Sequence, residues 1–522
     1  MGETDPLPLE EPGVEGPGVA GPLVRPDTPG NNLQFNFDAG DVVETFVSTD
    51  GNFTIHFSRA GDNAVDDEDD DLSGVPDFVE NVAGAYAEVL AHYTSLGLRV
   101  PESDADIPDN GGDGTFDVYL VDFAGIGDGA FRQDSCLASN GERCIGFMTQ
   151  ENDFVGYGYP SITIANRILA SHEFFHAVQA SYDANQGSVF AEGSAVWATE
   201  SFDPTLNDFE YFSDGFLDNP DRPLDEPLPG PVDPFSYGAG VFFQFLAERY
   251  GADTIRVLFE RCENGANGND DPQWITELDG AIGEVGDATF AEAMVDLAQW
   301  NFRTDDFADP ELSYANGDAY PRVKIESVEA PFSDDSIRVY HASTQYRAMA
   351  PGPRTQMTAA LVSADAAELE GLRLILATET ASAAETLLVE DATAGTETLD
   401  VGNADRFVAI VVSTNTGGDS KKPGLCVGNA EEVSECKAAL LDGGAGGSGG
   451  SGGAGGGDDG GGNGGAGGGA DDEGCSCSVP QRSTSFIRAG AGLAAMFGLG
   501  LILGQRRRRR TMSRVTSTSE RE

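Results

Sequence analysis

The sequence predicts an α+β fold built from two folded domains. Stretches in which apolar and polar residues alternate, a pattern typical of strands, occur in the first quarter of the chain and again after residue 330. Between them, apolar residues recur at helical spacing in several consecutive segments. A chain of 522 residues is too long for one compact core. We therefore expect a mixed domain over 31–325 and a small β-sandwich-like domain over 330–441, flanked by non-globular segments.

The composition argues against one broad class of partner. The chain carries 88 acidic residues against 30 lysines and arginines, a formal net charge of −58. Recognition of phosphate groups needs clustered basic side chains, so we expect no nucleic-acid partner. A strongly acidic surface keeps a protein soluble and can hold divalent cations. A simple solvated surface explains most of the acidity.

The N-terminal part of the chain shows two patterns. Residues 1–30 are rich in proline, glycine and glutamate without an apolar run, so they are predicted to be disordered. They lack the basic start and apolar core of a secretory signal, which conflicts with export unless the true start lies upstream or the route is unusual. Strands are predicted at 33–37, 53–57, 116–121 and 161–164.

An acidic loop after the second predicted strand has the spacing of an EF-hand-type calcium loop, with Gly74 at the position of the sharp turn. Carboxylate oxygens that crowd together need a cation to offset their repulsion, and calcium prefers such ligands. The alternative is a solvated acidic turn that caps the next helix, which is predicted over 79–93 with Gly97 as its stop. The predicted calcium ligands are Asp69, Asp71, Ser73, Val75, Asp77 and Glu80.

One short stretch carries the strongest functional signal. His172, Glu173 and His176 form a His-Glu-x-x-His string inside a helix predicted over 165–182. Two histidines four residues apart on a helix point to the same side, so both rings can bind one zinc ion. The glutamate between them stays free to act on a water at that metal. The competing interpretation is an exposed charged stripe on an amphipathic helix that binds no metal.

This string, together with a second predicted helix over 189–200, resembles the gluzincins, the zincin metalloproteases whose third zinc ligand is a glutamate on the next helix. The likeness is to secreted bacterial members with a calcium-loop-like element upstream. It implies a zincin-like catalytic domain with a mixed sheet and active-site helices. It also implies that an edge strand, expected at 161–164, pairs with an extended substrate peptide. The implied zinc ligands are His172, His176 and Glu192, and the implied general base is Glu173.

Two other acids compete with Glu192 for the third ligand position. Asp183 lacks the Gly-Thr-x-Asp context of the aspzincins, and Glu200 lies two turns beyond Glu192. A metzincin site is excluded because Gln179 and Tyr182 occupy the positions of its glycine and its third histidine. We therefore take Glu192 as the third ligand.

A later helical region supplies a candidate for oxyanion stabilisation, because gluzincins often place a tyrosine or histidine there. Tyr237 is that candidate, and its alternative role is that of a core tyrosine at a helix start. The resemblance implies protein or peptide substrates, and the absence of a Gly-x-Met-Glu-Asn element favours an endopeptidase over an aminopeptidase. Two other functions stay open. One is a calcium-stabilised surface adhesion or binding protein with a structural or vestigial zinc site, and the other is a metal-dependent hydrolase of non-peptide substrates.

Five of the seven cysteines belong to the folded part of the chain. The spacing of Cys136 with Cys144, and of Cys426 with Cys436, predicts two local disulfides of an exported protein rather than free thiols of a cytosolic one. Cys262 is left over and is expected to be buried. The three histidines outside the zinc motif are predicted to be structural, namely His56, His92 and His341.

The C-terminal part of the chain indicates a cellular address. Residues 442–474 are nearly all glycine and form a predicted flexible linker. Cys475 and Cys477 then precede a predicted transmembrane helix at 487–504 and five arginines at 506–510. These features of 475–522 resemble the myxobacterial C-terminal sorting domain (MYXO-CTERM). The resemblance implies export, anchoring in the cell membrane, cleavage by a sorting protease near the two cysteines, and display at the cell surface or outer membrane, or release; an ordinary single-span anchor is the alternative.

Overall fold

The computed structural model describes residues 24–443, except for 32, 106, 138–139, 229–232, 266–270, 272, 382 and 393–397. The first part of the fold is a five-stranded mixed sheet, formed by β1 (Val43–Val47), β2 (Phe53–Ser58), β3 (Phe116–Val121), β4 (Gly129–Leu137) and β5 (Asn140–Glu151). The strand order is β1-β2-β3-β5-β4. The three central strands run parallel, whereas β1 and β4 are antiparallel edges. The predicted strands at 53–57 and 116–121 are confirmed.

Nine helices follow or interrupt this sheet within the described part of the chain: α1 (Asp77–Ser95), α2 (Ile162–Ala180), α3 (Ser188–Phe202), α4 (Phe209–Leu217), α5 (Pro234–Gly238), α6 (Gly240–Tyr250), α7 (Asp253–Cys262), α8 (Trp274–Gly286) and α9 (Phe290–Asn301). The helices predicted from apolar spacing are confirmed. Almost every residue of α2 from Ala165 onwards is buried. A helix that is covered on all sides lies at the centre of its domain, and this one carries the two motif histidines.

Two predicted strands are wrong. Residues 161–164 form the start of α2, where Ser161 is the N-cap and its side chain accepts a hydrogen bond from the backbone N–H of Ile164. Residues 33–37 form no strand either. The alternation there reflects burial, since Phe35 and Phe37 pack against Phe123 and its neighbours on the sheet.

The second part of the fold consists of two further sheets. Its strands are β6 (Glu326–Ser327), β7 (Phe332–Asp334), β8 (Thr344–Met349), β9 (Gln356–Val362), β10 (Leu372–Glu379), β11 (Ala384–Asp391), β12 (Leu399–Asp400), β13 (Arg406–Ser413) and β14 (Gly424–Gly428). One sheet has the order β11-β10-β13-β8-β6 and the other β12-β9-β14-β7. A final helix that the sequence did not predict, α10 (Ala430–Gly443), follows.

The first of these two sheets has a core on each face. Along β13, Ile410 and Val412 belong to the core shared with the helices, whereas Ala409 and Val411 belong to the core shared with the other sheet. Successive side chains of a strand point to opposite faces, so a nearly continuous apolar run is what this position requires. The helices, this sheet and the other sheet are therefore packed as layers. The protein is an α+β protein.

The cysteine predictions are confirmed. Cys136 is bonded to Cys144 across β4 and β5, and Cys426 on β14 is bonded to Cys436 on α10. Cys262 is free and buried.

The structure describes part of the predicted disordered N-terminal segment and little of the predicted C-terminal segments. Arg25, inside the segment predicted to be disordered, is buried and forms ion pairs with Asp104 and Asp134. Residues 444–522, with most of the predicted linker and the whole predicted sorting segment, lie outside the described residues. None of the helices within the described residues is long and apolar enough to cross a membrane.

Candidate metal centre

The two histidines and the glutamate predicted as zinc ligands converge between α2 and α3. Nε2 of His172 lies 3.2 Å from Oε2 of Glu192, and Nε2 of His176 lies 3.7 Å from the same oxygen. One ligand atom from each residue lies within 4.8 Å of the other two, and all three residues are buried. The structure thus brings together the three residues that the sequence singled out.

These separations fit a tetrahedral zinc site. Zinc binds imidazole nitrogen at about 2.0–2.1 Å and carboxylate oxygen at about 2.0–2.2 Å, so neighbouring ligand atoms on a tetrahedron stand about 3.4 Å apart. The two measured separations, 3.2 and 3.7 Å, lie on either side of that value. Two imidazoles and one carboxylate are also the ligand set of zinc sites that keep a fourth position for water.

The surroundings shift the pKa values of the two histidine rings in opposite directions. Burial lowers the pKa of His176, which favours the neutral ring that a metal requires. Burial acts in the same direction on His172, but its hydrogen bond to Glu192 and the charge of Glu173 prevail and raise the pKa of that ring. The negative charges around His172 are thus arranged to stabilise a positive charge at this place.

Gln179 orients the second histidine. Its Oε1 accepts a hydrogen bond from Nδ1 of His176 at 2.8 Å, while its Nε2 donates to the carbonyl oxygen of Ala191 and to Oγ of Ser194 on α3. Because an amide oxygen only accepts, the proton of the neutral ring is on Nδ1 and the Nε2 lone pair faces Glu192. The sequence indicated Gln179 only as a reason to reject a metzincin site.

Glu173 is a buried acid with a raised pKa, as is common in active sites. It is fully buried, and within the described part of the chain neither carboxylate oxygen has a hydrogen-bond partner. Burial raises its pKa to about 8; the charge of His172 opposes that rise, and the charges of Glu192 and Asp128 add to it. Such a group is unfavourable for folding, and active sites are where such groups are retained.

Space for Glu173 is provided by a glycine on the edge strand. A Cβ atom placed on Gly129, the first residue of β4, would lie 3.1 Å from Cγ of Glu173. β4 is therefore the strand next to the candidate base, and it is the last strand of its sheet. The edge strand that the resemblance implied is thus available in β4 and not at 161–164.

Tyr237 lies at the site. Its ring stacks on the His172 ring with centroids 5.7 Å apart and planes inclined by 12°, and it also stacks on Phe212 of α4. The Asp233 carboxylate caps α5 by accepting from the N–H of Phe235, which fixes the short helix that carries Tyr237. The buried phenol is thus held beside a predicted zinc ligand.

Asp128 is a site residue that sequence reasoning missed. It is buried directly before Gly129, accepts a hydrogen bond from the Tyr159 hydroxyl, and its charge acts on Glu173. Burial raises its pKa to about 7, and the hydrogen bond from Tyr159 opposes that rise. A single aspartate in a glycine-rich turn gives no signal in the sequence, since only the fold places it beside α2.

The two competitors for the third ligand position lie elsewhere. Asp183, in the turn after α2, binds the N–H of Asn185 and the side chain of Gln186. Glu200, near the end of α3, is buried, and its pKa is raised to about 7 by burial and by the neighbouring charges of acidic residues, Glu210 first among them. Neither belongs to the histidine group.

The predicted calcium loop brings part of its ligand set together. Oxygens of Asp69, Asp71 and Asp77 lie within 4.8 Å of one another. The turn is made as expected, with φ of +92° at Gly74, whose N–H donates to Asp69. Of the remaining predicted ligands, Ser73 donates to the carbonyl oxygen of Val75, and Glu80 lies in the first turn of α1 and is not one of the three clustered acids.

The three other histidines each bond to a non-metal partner, as predicted for structural residues. His56 pairs with Asp117, His92 with Ser201, and His341 with Asp225.

Comparisons with known proteins assign no family. No family model and no curated protein matches the chain. One solved structure that matches in part is the crystal structure of Aeromonas hydrophila PliG, a periplasmic lysozyme inhibitor of g-type lysozyme. It is 13% identical, the alignment covers 20% of this chain and 96% of that chain, and the TM-score is 0.16. A similarity at that TM-score says nothing about the function of this chain.

Proposed function

We propose that the chain is a zinc-dependent hydrolase of the gluzincin type that cleaves peptide bonds as an endopeptidase. The observation that carries the proposal is the convergence of His172, His176 and Glu192 beside Glu173, whose two oxygens accept no hydrogen bond from any described residue. A zinc ion that only supports the fold has no use for an uncoordinated carboxylate at its side. This feature favours the hydrolase over a surface-binding protein with a structural zinc site.

The residues divide the chemistry among them. A zinc ion held by the two histidines and Glu192 would supply Lewis-acid chemistry, lowering the pKa of a water toward about 7 and polarising the substrate carbonyl. Glu173 takes the proton from the attacking water and later delivers it to the leaving amine. Burial raises the pKa of the Glu173 carboxyl group and so makes its ionised form a stronger base, while the positive charge of a bound zinc ion would favour that ionised form.

Two further elements act on the substrate. An extended peptide that adds to the outer edge of β4 (Gly129–Leu137) would be aligned by main-chain hydrogen bonds beside Glu173. Tyr237, held against His172, donates a hydrogen bond from its phenol to the oxygen on which negative charge develops. Two contacts support these assignments: Gly129 of β4 lies against Glu173, and the Tyr237 ring stacks on His172.

The location of the protein belongs to the same proposal. The two disulfides support an oxidising compartment, and so export. A membrane segment at 487–504 would anchor the chain, with a sorting protease acting near Cys475–Cys477, until the protein is displayed on the surface or released. Calcium is proposed for the loop of Asp69, Asp71 and Asp77.

The test measures zinc content and casein cleavage in the full chain and in two variants. Wild type should bind one zinc ion per chain at the histidine group and cleave casein. Glu173→Gln should keep the zinc ion and lose about 10²–10⁴-fold in rate, because it cannot accept the proton. Glu200→Gln is the matched control, the same substitution on α3 outside the histidine group, and should keep both zinc and activity.

Three results would count against the proposal. Zinc without cleavage in wild type favours the binding protein. Equal cleavage by wild type and Glu173→Gln removes Glu173 from the reaction. A wild-type chain that takes up no zinc ends the gluzincin assignment.

A further inference from the structure

A second group of acids lies buried outside the histidine site. Oxygens of Glu142, Asp183 and Asp271 lie within 4.8 Å of one another. The three residues are 0%, 3% and 7% exposed. They come from three separate segments, namely the start of β5, the turn between α2 and α3, and the connection between α7 and α8. Three carboxylates meeting in the interior repel one another unless protons or a cation intervene.

The hydrogen bonds around the group do not satisfy it. Oε2 of Glu142 accepts from the N–H of Gly265, and both oxygens of Asp183 accept from Asn185 and Gln186. Oε1 of Glu142 and Oδ2 of Asp271, in contrast, are buried and have no hydrogen-bond partner among the residues that the structure describes. A buried acceptor left unsatisfied is costly, and an ionised one more so. A hydrogen-bond donor or a cation bound at these two oxygens would therefore stabilise the cluster.

No basic side chain neutralises the cluster. Among the described residues, no arginine, lysine or histidine forms an ion pair with Glu142, Asp183 or Asp271. Arg143, the nearest base in sequence, pairs instead with Glu102 and Glu263. Burial accordingly raises the pKa of all three acids, that of Asp183 to about 6.

We propose that Glu142, Asp183 and Asp271 bind a calcium ion that ties the β4–β5 hairpin and the chain at Asp271 to the turn between α2 and α3. Calcium takes 6–8 oxygen ligands at about 2.3–2.6 Å, so two oxygens on one ion stand at most about 5 Å apart, as these do. Zinc is disfavoured because the group offers neither nitrogen nor sulfur.

The surroundings are already organised for such a clamp. The Ala184 N–H donates to the carbonyl oxygen of Glu142, and the Trp274 N–H donates to Oε1 of Gln186, both at 2.8–2.9 Å. The Cys136–Cys144 disulfide closes the hairpin that carries Glu142. The three segments thus meet before any ion binds, and the ion removes the repulsion that remains. The proposal does not depend on peptidase activity.

The test counts bound calcium and follows the melting temperature. All chains carry Glu173→Gln, so that self-cleavage cannot be mistaken for instability, and are stripped of metal, reloaded with zinc and titrated with calcium alone. Asp69→Asn combined with Asp71→Asn disables the exposed loop, and this double variant should still bind one calcium ion. At about 100 times the dissociation constant, calcium should raise its Tm by roughly 3–5 °C.

Adding Glu142→Gln or Asp271→Asn to the loop-disabled chain should abolish the remaining calcium ion and the rise in Tm. Without calcium, each of these two chains should melt above the loop-disabled chain, because one of three repelling charges is gone. If the loop-disabled chain binds no calcium, the proposal fails, whether or not the buried variants fold. It also fails if Glu142→Gln and Asp271→Asn leave the bound calcium and the Tm rise unchanged.

Discussion

Nδ1 of His176 and Oε1 of Gln179 are 2.8 Å apart, and the same amide group donates to α3 through its Nε2. One side chain therefore fixes the tautomer of a predicted ligand and holds the helix of Glu192 in register with it. Metal-binding histidines usually have such a partner on their second nitrogen, and its loss weakens metal binding. The candidate metal centre therefore includes Gln179 as well as its three predicted ligands.

Gln179→Leu should raise the dissociation constant for zinc about 10–100-fold, because the His176 ring loses its acceptor and α3 loses two hydrogen bonds. Competition with a zinc chelator measures it. Gln244→Leu is the matched control, since Gln244 is half-buried on α6 and, among the described residues, its side chain donates to Glu248 alone. Equal zinc affinity in the Gln179 variant and wild type would show that the ring needs no such support.

Gly129→Ala should lower casein cleavage about tenfold without changing bound zinc, because the added Cβ would press on Cγ of Glu173 at 3.1 Å and displace the base. Gly84→Ala on α1 is the control, because a Cβ there meets nothing within 4 Å. That control should keep full activity and gain about 0.5–1 kcal/mol in stability. Full activity of Gly129→Ala would show that the Glu173 side chain can accommodate the added Cβ without losing its function.

Tyr237→Phe should lower kcat about 10²-fold with little change in KM, zinc content or Tm. The ring still stacks on His172, and only the hydroxyl group is lost. Steady-state kinetics on a casein-derived peptide give the split. Phe212→Tyr, a hydroxyl added to the other ring of the stack, controls for general disturbance of the aromatic layer. A lower Tm with unchanged kcat would assign Tyr237 to packing alone.

The spacing of the motif explains why the sequence located much of this site. A helix repeats every 3.6 residues, so His172 and His176 had to share a face wherever the helix lay. Glu192 came from the resemblance, and the structure places it with them. Asp128 was missed because only tertiary packing brings it near α2. The part played by Gln179, which is itself on α2, was missed because its hydrogen bonds to α3 depend on how the two helices pack.

The predictions of helices and strands were right where the apolar pattern extended over many residues, and wrong where it was short. Alternation over residues 161–164 spans only one helical turn, and the serine cap that begins α2 fits it equally well. Composition suggested disorder up to residue 30, whereas the ion pairs of Arg25 with buried carboxylates hold the chain from there. Pairings of this kind depend on residues about 80–110 positions away, which no local pattern reveals.

Glu200 should make the stability of the folded chain depend on pH, and a single substitution should remove its contribution. Burial and nearby acids raise its pKa from 4.5 to about 7. The folded carboxyl group keeps its proton up to about pH 7, while the unfolded one loses it near 4.5, so the folded state binds more protons in between. The stability contributed by this group is therefore present below about pH 4.5 and falls as the pH rises to 7.

Glu200→Gln should accordingly lose less stability than wild type between pH 5 and 8, and at pH 8 it should be the more stable by the order of 2 kcal/mol. Urea unfolding at several pH values measures the difference. Glu277→Gln, the same substitution on α8, is the control for the loss of one carboxylate elsewhere in the chain. Parallel profiles for Glu200→Gln and wild type would mean that Glu200 is already ionised in the folded chain, with its charge compensated by solvent or by a cation.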